Sequence, residues 1–144
     1  MEATPAKQST KSGDIYSILL RAEKRQSALM QRLPAKIKEK LNSAEGRAAE
    51  LKISGKDGGL FYLKYENGRL RLLDESCEVR NKVLMTDKIF YQLVGGAITP
   101  RAAKAHRYIL VSGEEEMYDS EELMQAIEDW LFEIRASLGL KVRA

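Results

Sequence analysis

The segment 83–113 constrains the fold more than any other part of the chain, because it places two short apolar helices between two strands. Thr86 is a suitable N-cap for the first helix, which must end at the glycine pair 95–96. Thr99 is a suitable N-cap for the second helix, with Pro100 at the first helical position, where its missing N–H group costs nothing. The sequence therefore predicts a strand–helix–helix–strand unit.

Two amphipathic helices are predicted before the first strand. One has Asp14 as its predicted N-cap and runs for about five turns to residue 33, with apolar residues on one broad face. Pro34 cannot continue this helix without a kink, so a second, short helix is predicted over residues 35–41.

From Arg47 the period of the apolar residues changes from helical to two, which is typical of half-buried strands. The Asn67-Gly68 pair is a strong hairpin signal, since both turn positions tolerate a positive φ. An antiparallel meander is therefore predicted for the first three strands. The predicted strands cover residues 47–53, 60–66, 70–73, 79–85 and 108–111.

A long helix is predicted to close the fold. It starts at about Ser120, with Asp119 or Ser120 as its cap, and Gly139 ends it. Residues 1–13 are polar and are predicted to be a disordered leader, which leaves residues 14–144 as a single domain.

The residues that catalysis or metal binding would need are mostly absent. The chain has one histidine, His106, and one cysteine, Cys77, so these ligand types cannot assemble a zinc site. The glycine-rich turn 55–59 matches neither the Walker nor the Rossmann pattern. The sequence therefore predicts a non-catalytic protein without a metal or cofactor, and an enzyme that depends on His106 is the weakest alternative.

The cysteine content and the absence of targeting signals indicate a compartment. A lone cysteine fits a reducing compartment, and the chain shows neither a secretory signal nor a transmembrane run, so a cytoplasmic location is predicted.

Residues 1–47 hold ten basic and five acidic residues, whereas 114–144 hold three basic and nine acidic. The basic residues of 21–40 are predicted to contact anionic membrane surfaces weakly. Nucleic-acid binding is not expected, because the aromatic residues of a stacking platform are missing.

The predicted elements bring many apolar faces together. Such a set either closes into a dry core or leaves a cavity between sheet and helices, and periodicity alone does not choose between the two.

The segment 83–113 resembles the sterol carrier protein type two family of lipid-transfer domains. The family pattern is a strand, a helix opened by a Thr or Asp, a glycine, a proline, two small residues and a strand ending in glycine. Gly96, Pro100, Ala102, Ala103 and Gly113 fall on those positions, and the resemblance extends from about Ile15 to Leu138. One departure is the triplet 105–107, Ala-His-Arg, which stands where family members usually have a glycine.

This resemblance implies an α+β fold, in which helices cover a five-stranded, largely antiparallel sheet and enclose an apolar tunnel. It implies non-catalytic binding of an apolar lipid such as a fatty acyl chain, sterol-like or isoprenoid molecule, with transfer of that lipid as a further option. Ala102 and Ala103 are expected to leave room in the tunnel beside the glycine pair. Strand alternation and helix faces predict these lipid-binding residues: Phe61, Leu63, Val83, Met85, Phe90, Leu93, Val94, Ile98, Ala102, Ala103, Ile109, Val111, Ile127, Trp130 and Leu131.

An alternative function remains open at this stage. The second hypothesis is an accessory or interaction module that uses the same fold to present a lipid intermediate to an enzyme, or to dimerise.

Overall fold

The computed structural model describes residues 10–43, 46–113 and 121–139, which form helices and one mixed sheet. The helices are α1 (Asp14–Lys24), α2 (Ser27–Arg32), α3 (Ala35–Ser43), α4 (Asp87–Gly95), α5 (Pro100–Ala105) and α6 (Glu121–Ser137). The strands are β1 (Ala48–Ser54), β2 (Gly59–Glu66), β3 (Arg69–Leu73), β4 (Asn81–Thr86) and β5 (Leu110–Gly113).

The sheet has the strand order β3-β2-β1-β4-β5. The pairs β1–β2, β2–β3 and β4–β5 are antiparallel, and β1–β4 is parallel. The predicted meander and the largely antiparallel α+β sheet are therefore confirmed. Asn67 and Gly68 take φ angles of 55° and 77°, as the predicted hairpin turn requires.

The first helix was predicted wrongly in two respects. It is not continuous to residue 33, because it ends at Lys24 and α2 begins at Ser27. Its N-cap is Gly13 rather than Asp14, and no side chain caps it. Asp14 lies in the first turn instead, where the helix dipole favours a negative charge.

Gln26 lies in the break between α1 and α2, at the N-cap position of α2. Only 2% of this residue is exposed, and its side-chain amide bonds to the backbone of β3. The amide nitrogen donates to the Leu70 carbonyl at 2.8 Å, and the amide oxygen accepts from the Leu70 N–H group at 2.8 Å. Since β3 lies at the edge of the sheet, Gln26 supplies partners that a further strand would otherwise provide.

The helix caps within the segment 83–113 are confirmed. The Thr86 hydroxyl accepts from the Ile89 N–H group at 3.2 Å, and the Thr99 hydroxyl accepts from the Ala102 N–H group at 3.1 Å. The prediction for the final strand was displaced, since β5 spans Leu110–Gly113 rather than residues 108–111. Tyr108 and Ile109 instead belong to the turn that follows α5.

The core lies between one face of the sheet and the helices α1, α4, α5 and α6. A smaller cluster forms where α2 and α3 pack against α6, with Leu29, Leu33 and Ile37 meeting Leu123 and Ala126. Gly139, with φ 71°, follows the end of α6 as predicted.

Several sequence-based expectations fall on residues outside the described ranges. The proposed caps Asp119 and Ser120, and residues 1–9 of the leader, are among them. At the end of the leader, the Thr10 N–H group donates to the Leu60 carbonyl at 2.7 Å. The division into a leader and a single domain stays a prediction.

Candidate functional site

An apolar cavity of about 220 Å³ lies between the inner face of the sheet and four helices, and it is partly open to the surface. Its wall, hereafter the cavity wall, consists of Ile18, Leu19, Ala22, Leu51, Leu63, Val83, Met85, Phe90, Leu93, Val94, Pro100, Lys104, Ile109, Val111, Met124, Ile127, Trp130, Leu131 and Ile134. Of the two arrangements that the sequence left open, the structure shows the one with a cavity.

The strands contribute a row of side chains across the floor of the cavity. Val83 on β4 pairs in register with Leu51 on one side and with Val111 on the other. Residues directly opposite each other on neighbouring strands project to the same face of the sheet. All three are only half-buried, because they face the cavity rather than packed side chains.

The helices α1 and α6 form the roof, and a partly buried polar contact joins them. The indole N–H group of Trp130 donates to the Ala22 carbonyl at 2.9 Å. Ala22 lies near the end of α1, where a carbonyl lacks a complete set of helical partners. The contact therefore holds both helices against the cavity and satisfies the one hydrogen-bond donor of the indole.

A second polar contact joins α6 to the end of α4. The Arg135 guanidinium donates from Nε to the Val94 carbonyl at 2.8 Å and from Nη2 to the Leu93 carbonyl at 3.4 Å. A Cβ atom at Gly96 would lie 2.7 Å from the Arg135 Cζ atom, so a side chain there would displace the guanidinium, and the φ of 82° favours glycine as well. Gly96 thus leaves room for the Arg135 guanidinium, and it is not part of the cavity wall.

Eleven of the fifteen predicted lipid-binding residues belong to the cavity wall. They are Leu63, Val83, Met85, Phe90, Leu93, Val94, Ile109, Val111, Ile127, Trp130 and Leu131. Whether they contact a lipid stays a prediction.

The other four predicted residues lie off the cavity. Phe61 and Ala103 are packed into the core, with 1% and 0% of their surface exposed. Ile98 lines a separate surface groove between α6 and the α4–α5 connection. Ala102 is half-buried but is not part of the cavity wall, so neither alanine creates the predicted space.

Sequence reasoning missed seven residues of the cavity wall: Ile18, Leu19, Ala22, Pro100, Lys104, Met124 and Ile134. Most of these were already recognisable as apolar residues on helix faces. The local sequence of α1 and α6 does not show which apolar residues of these helices contact the sheet. The apolar residues could therefore be assigned to a core, but not to a cavity. The sequence did not indicate that Lys104 lines a cavity, because an isolated lysine on a short helix is ordinarily exposed.

The triplet 105–107 does not close the cavity, since none of its residues belongs to the wall. Arg107 adopts φ 59°, the left-handed conformation that a glycine would favour. The N–H groups of Arg107 and Tyr108 donate to the carbonyls of Lys104 and Ala103, at 3.0 and 2.8 Å. This is a Schellman cap with arginine at the usual glycine position. His106 is exposed and stacks on the Tyr108 ring, 5.6 Å away.

The buried ionisable pair of the sheet lies on the face opposite the cavity. Glu50 pairs in register with Tyr62, and the Tyr62 hydroxyl donates to the Glu50 carboxylate at 3.5 Å. Burial raises the pKa of Tyr62, and the negative charge of Glu50 raises it further.

Within residues 10–43, 46–113 and 121–139, no cluster of three or more His, Cys, Asp or Glu side chains could hold a metal ion. No helix described there is long and apolar enough to span a bilayer.

Comparisons with known proteins support the fold. No family model matches the sequence, and no curated protein matches it either. Among solved structures, palmitated sterol carrier protein 2 like 2 of Aedes aegypti superimposes with a TM-score of 0.55 at 16% identity, covering 83% of this chain and 94% of that one. Sterol carrier protein domain 2 of Helicoverpa armigera gives a TM-score of 0.52 at 11% identity, covering 100% of this chain and 98% of that one. The chain therefore has the sterol carrier protein fold.

Proposed function

We propose that this protein binds one apolar lipid chain in the cavity between the sheet and its helices, and does so without catalysing a reaction. The observation that carries the proposal is the cavity wall, in which eighteen of the nineteen residues have apolar side chains. The fold adds support, since one structural neighbour is described as palmitated.

The chemistry of the wall suits binding by burial alone. Each buried methylene contributes roughly 0.8 kcal/mol, so a chain of about nine carbons gains about 7 kcal/mol before the cost of ordering it is subtracted. The indole N–H group of Trp130, a cavity-wall residue of α6, is already bonded to the Ala22 carbonyl. A lipid tail would therefore bind without leaving that polar group unsatisfied.

Filling the cavity tests this function. In Val111→Trp a large ring would occupy the floor, and we expect the variant to lose at least tenfold in affinity for a fluorescent fatty acid. Val111 is half-buried on an edge strand, so we expect the fold to survive the change.

The neighbouring residue provides a matched control. Leu110 is 51% exposed and alternates to the other face of the same strand, so Leu110→Trp should bind like the wild type. If Val111→Trp binds the fatty acid as tightly as Leu110→Trp does, this cavity is not the binding site.

Mass spectrometry of lipids extracted from the natively purified protein would identify the physiological ligand.

A further inference from the structure

The two edges of the sheet differ in how they are covered. The edge strand β3 is bonded to the Gln26 amide and the Glu23 carboxylate. Within the described parts of the chain, the backbone of the other edge strand, β5, is hydrogen-bonded only to residues of β4. An open edge strand offers its N–H and C=O groups to a strand of another chain. The edge at β5 is therefore a candidate interaction surface.

Exposed apolar side chains lie beside this open edge. Leu84 on β4 and Leu110 on β5 are 39% and 51% exposed, and they are paired in register on the face of the sheet opposite the cavity. Tyr108, in the turn before β5, is 49% exposed. The described residues include one other large apolar side chain with such exposure, Phe132 on α6. The exposed apolar surface is thus concentrated where a further strand would cover it.

From this arrangement we infer that two copies of the chain associate by antiparallel pairing of their β5 strands around a two-fold axis, with Leu110 on the axis. A two-fold axis brings the same patch of both copies together. Opposite residues of antiparallel strands share a face of the sheet, so the two Leu110 side chains meet and a Leu84 side chain flanks each of them. With Ser112 on the axis, a polar residue would lie at the centre and the leucines would stay apart.

The charges on either side of β5 fit this direction of pairing. Arg107 is exposed in the turn before the strand, and three glutamates follow Gly113 in the sequence. In an antiparallel pair the start of one strand lies beside the end of the other. Each basic turn would therefore lie near the acidic sequence of the second copy, whereas parallel pairing would bring like charges together. Charge complementarity thus favours a second copy of this chain as the partner.

The proposed interface is small. Standard interfaces bury about 1,200–2,000 Å² and involve about 20–30 residues on each side, more than a four-residue strand and its neighbours provide. We expect a weak dimer, with a dissociation constant on the order of 100 µM. The cavity is lined by residues of a single copy, so this inference does not depend on the proposed function.

Sedimentation velocity, at concentrations from tenfold below to tenfold above that dissociation constant, measures the association. Leu110→Lys would place two positive charges against each other on the axis and should weaken the dimer at least tenfold. Phe132→Lys is the matched control, because it makes a similar change at a residue that is 48% exposed on α6, and it should dimerise like the wild type. A wild type that stays monomeric throughout, or equal weakening by both variants, would overturn the inference.

Disulfide cross-linking tests the register of the two strands. Cys77→Ser first removes the native exposed thiol. Adding Leu110→Cys to this background should place two cysteine Cα atoms about 4.5–5.5 Å apart across the axis, within reach of a disulfide. Adding Ser112→Cys instead should place them about 14 Å apart, which is too far. We expect a cross-linked dimer from Leu110→Cys alone. Equal cross-linking of both variants, or of neither, would show that the strands do not pair around Leu110.

Discussion

Arg107 and Gly96 occupy equivalent positions at the ends of two neighbouring helices. Each lies just beyond its helix with a positive φ, 59° for Arg107 and 82° for Gly96. Each N–H group donates to the carbonyl three residues before it, on Lys104 and on Leu93. Glycine takes this conformation without steric cost, whereas a side chain with a Cβ atom pays for it. The same backbone motif is therefore relaxed at α4 and strained at α5.

Replacing Arg107 by glycine should consequently stabilise the protein. We expect Arg107→Gly to raise the free energy of unfolding by about 0.5–1 kcal/mol, because relief of the left-handed strain exceeds the added flexibility of the unfolded chain. Urea denaturation monitored by circular dichroism measures the change. Arg107→Ala is the control, since it removes the guanidinium but keeps the Cβ atom. A similar gain in the alanine variant would show that the charge, not the backbone, is responsible.

Local residue chemistry was also the part of the structure that the sequence predicted best. The Thr86 and Thr99 caps were predictable because a capping hydroxyl and the N–H group it accepts from lie three residues apart. Asp14 had the same capping chemistry but lies one residue too late, within the first turn. The φ of Arg107 was not predictable, since arginine carries no preference for it.

At the scale of elements, side chains of α1 and of the turn after it cover the edge strand β3. The Gln26 amide bonds to both backbone groups of Leu70, and the Glu23 carboxylate accepts from the Leu72 N–H group. An uncovered edge strand would present unpaired N–H and C=O groups to other chains. The break between α1 and α2 places Gln26 where it can reach the strand. A periodicity argument cannot find such a break, because Leu29 and Leu33 continue the apolar face across it.

Removing the Gln26 amide should therefore destabilise the fold and expose the edge. We expect Gln26→Met, which preserves volume, to lower the free energy of unfolding by about 1–3 kcal/mol, because the Leu70 groups lose their partners beside an apolar core. Denaturant titration measures this loss, and hydrogen exchange at Leu70 should accelerate. Gln125→Met is the control, as Gln125 is exposed and bonds to Asp129 in the neighbouring turn of α6. Unchanged stability in Gln26→Met would show that the bonds between Gln26 and Leu70 do not stabilise the fold.

The cavity is a property of the whole molecule, and only part of it could be read from the sequence. Strand alternation is local, so Leu63, Val83, Met85 and Val111 were assigned to the correct face. The α1 residues required knowledge of where that helix lies relative to the sheet. The volume itself is the small space left over between densely packed elements, which no single stretch of sequence determines.

The distribution of charge over the whole molecule leads to a last prediction. Lys36 and Lys38 are exposed on α3, within the basic region 21–40, and we expect them to hold the protein weakly on anionic vesicles. Each lysine near an anionic surface contributes about 1 kcal/mol, so reversing both charges should weaken binding by tenfold or more. Flotation with vesicles of phosphatidylserine and phosphatidylcholine measures the bound fraction, which should fall with added salt as screening shortens the range of the attraction.

A control with the same change in net charge decides whether the position of these lysines matters. Lys52 and Lys82 are exposed on the sheet, where they line a shallow groove with Glu50 on the face opposite the cavity. If α3 is the contact surface, Lys36→Glu/Lys38→Glu should release the protein from the vesicles while Lys52→Glu/Lys82→Glu leaves it bound. Equal losses would show that net charge alone governs binding. Because α3 packs with α2 against α6, whose inner face forms the roof of the cavity, a surface-bound α3 would hold the proposed lipid site close to the bilayer.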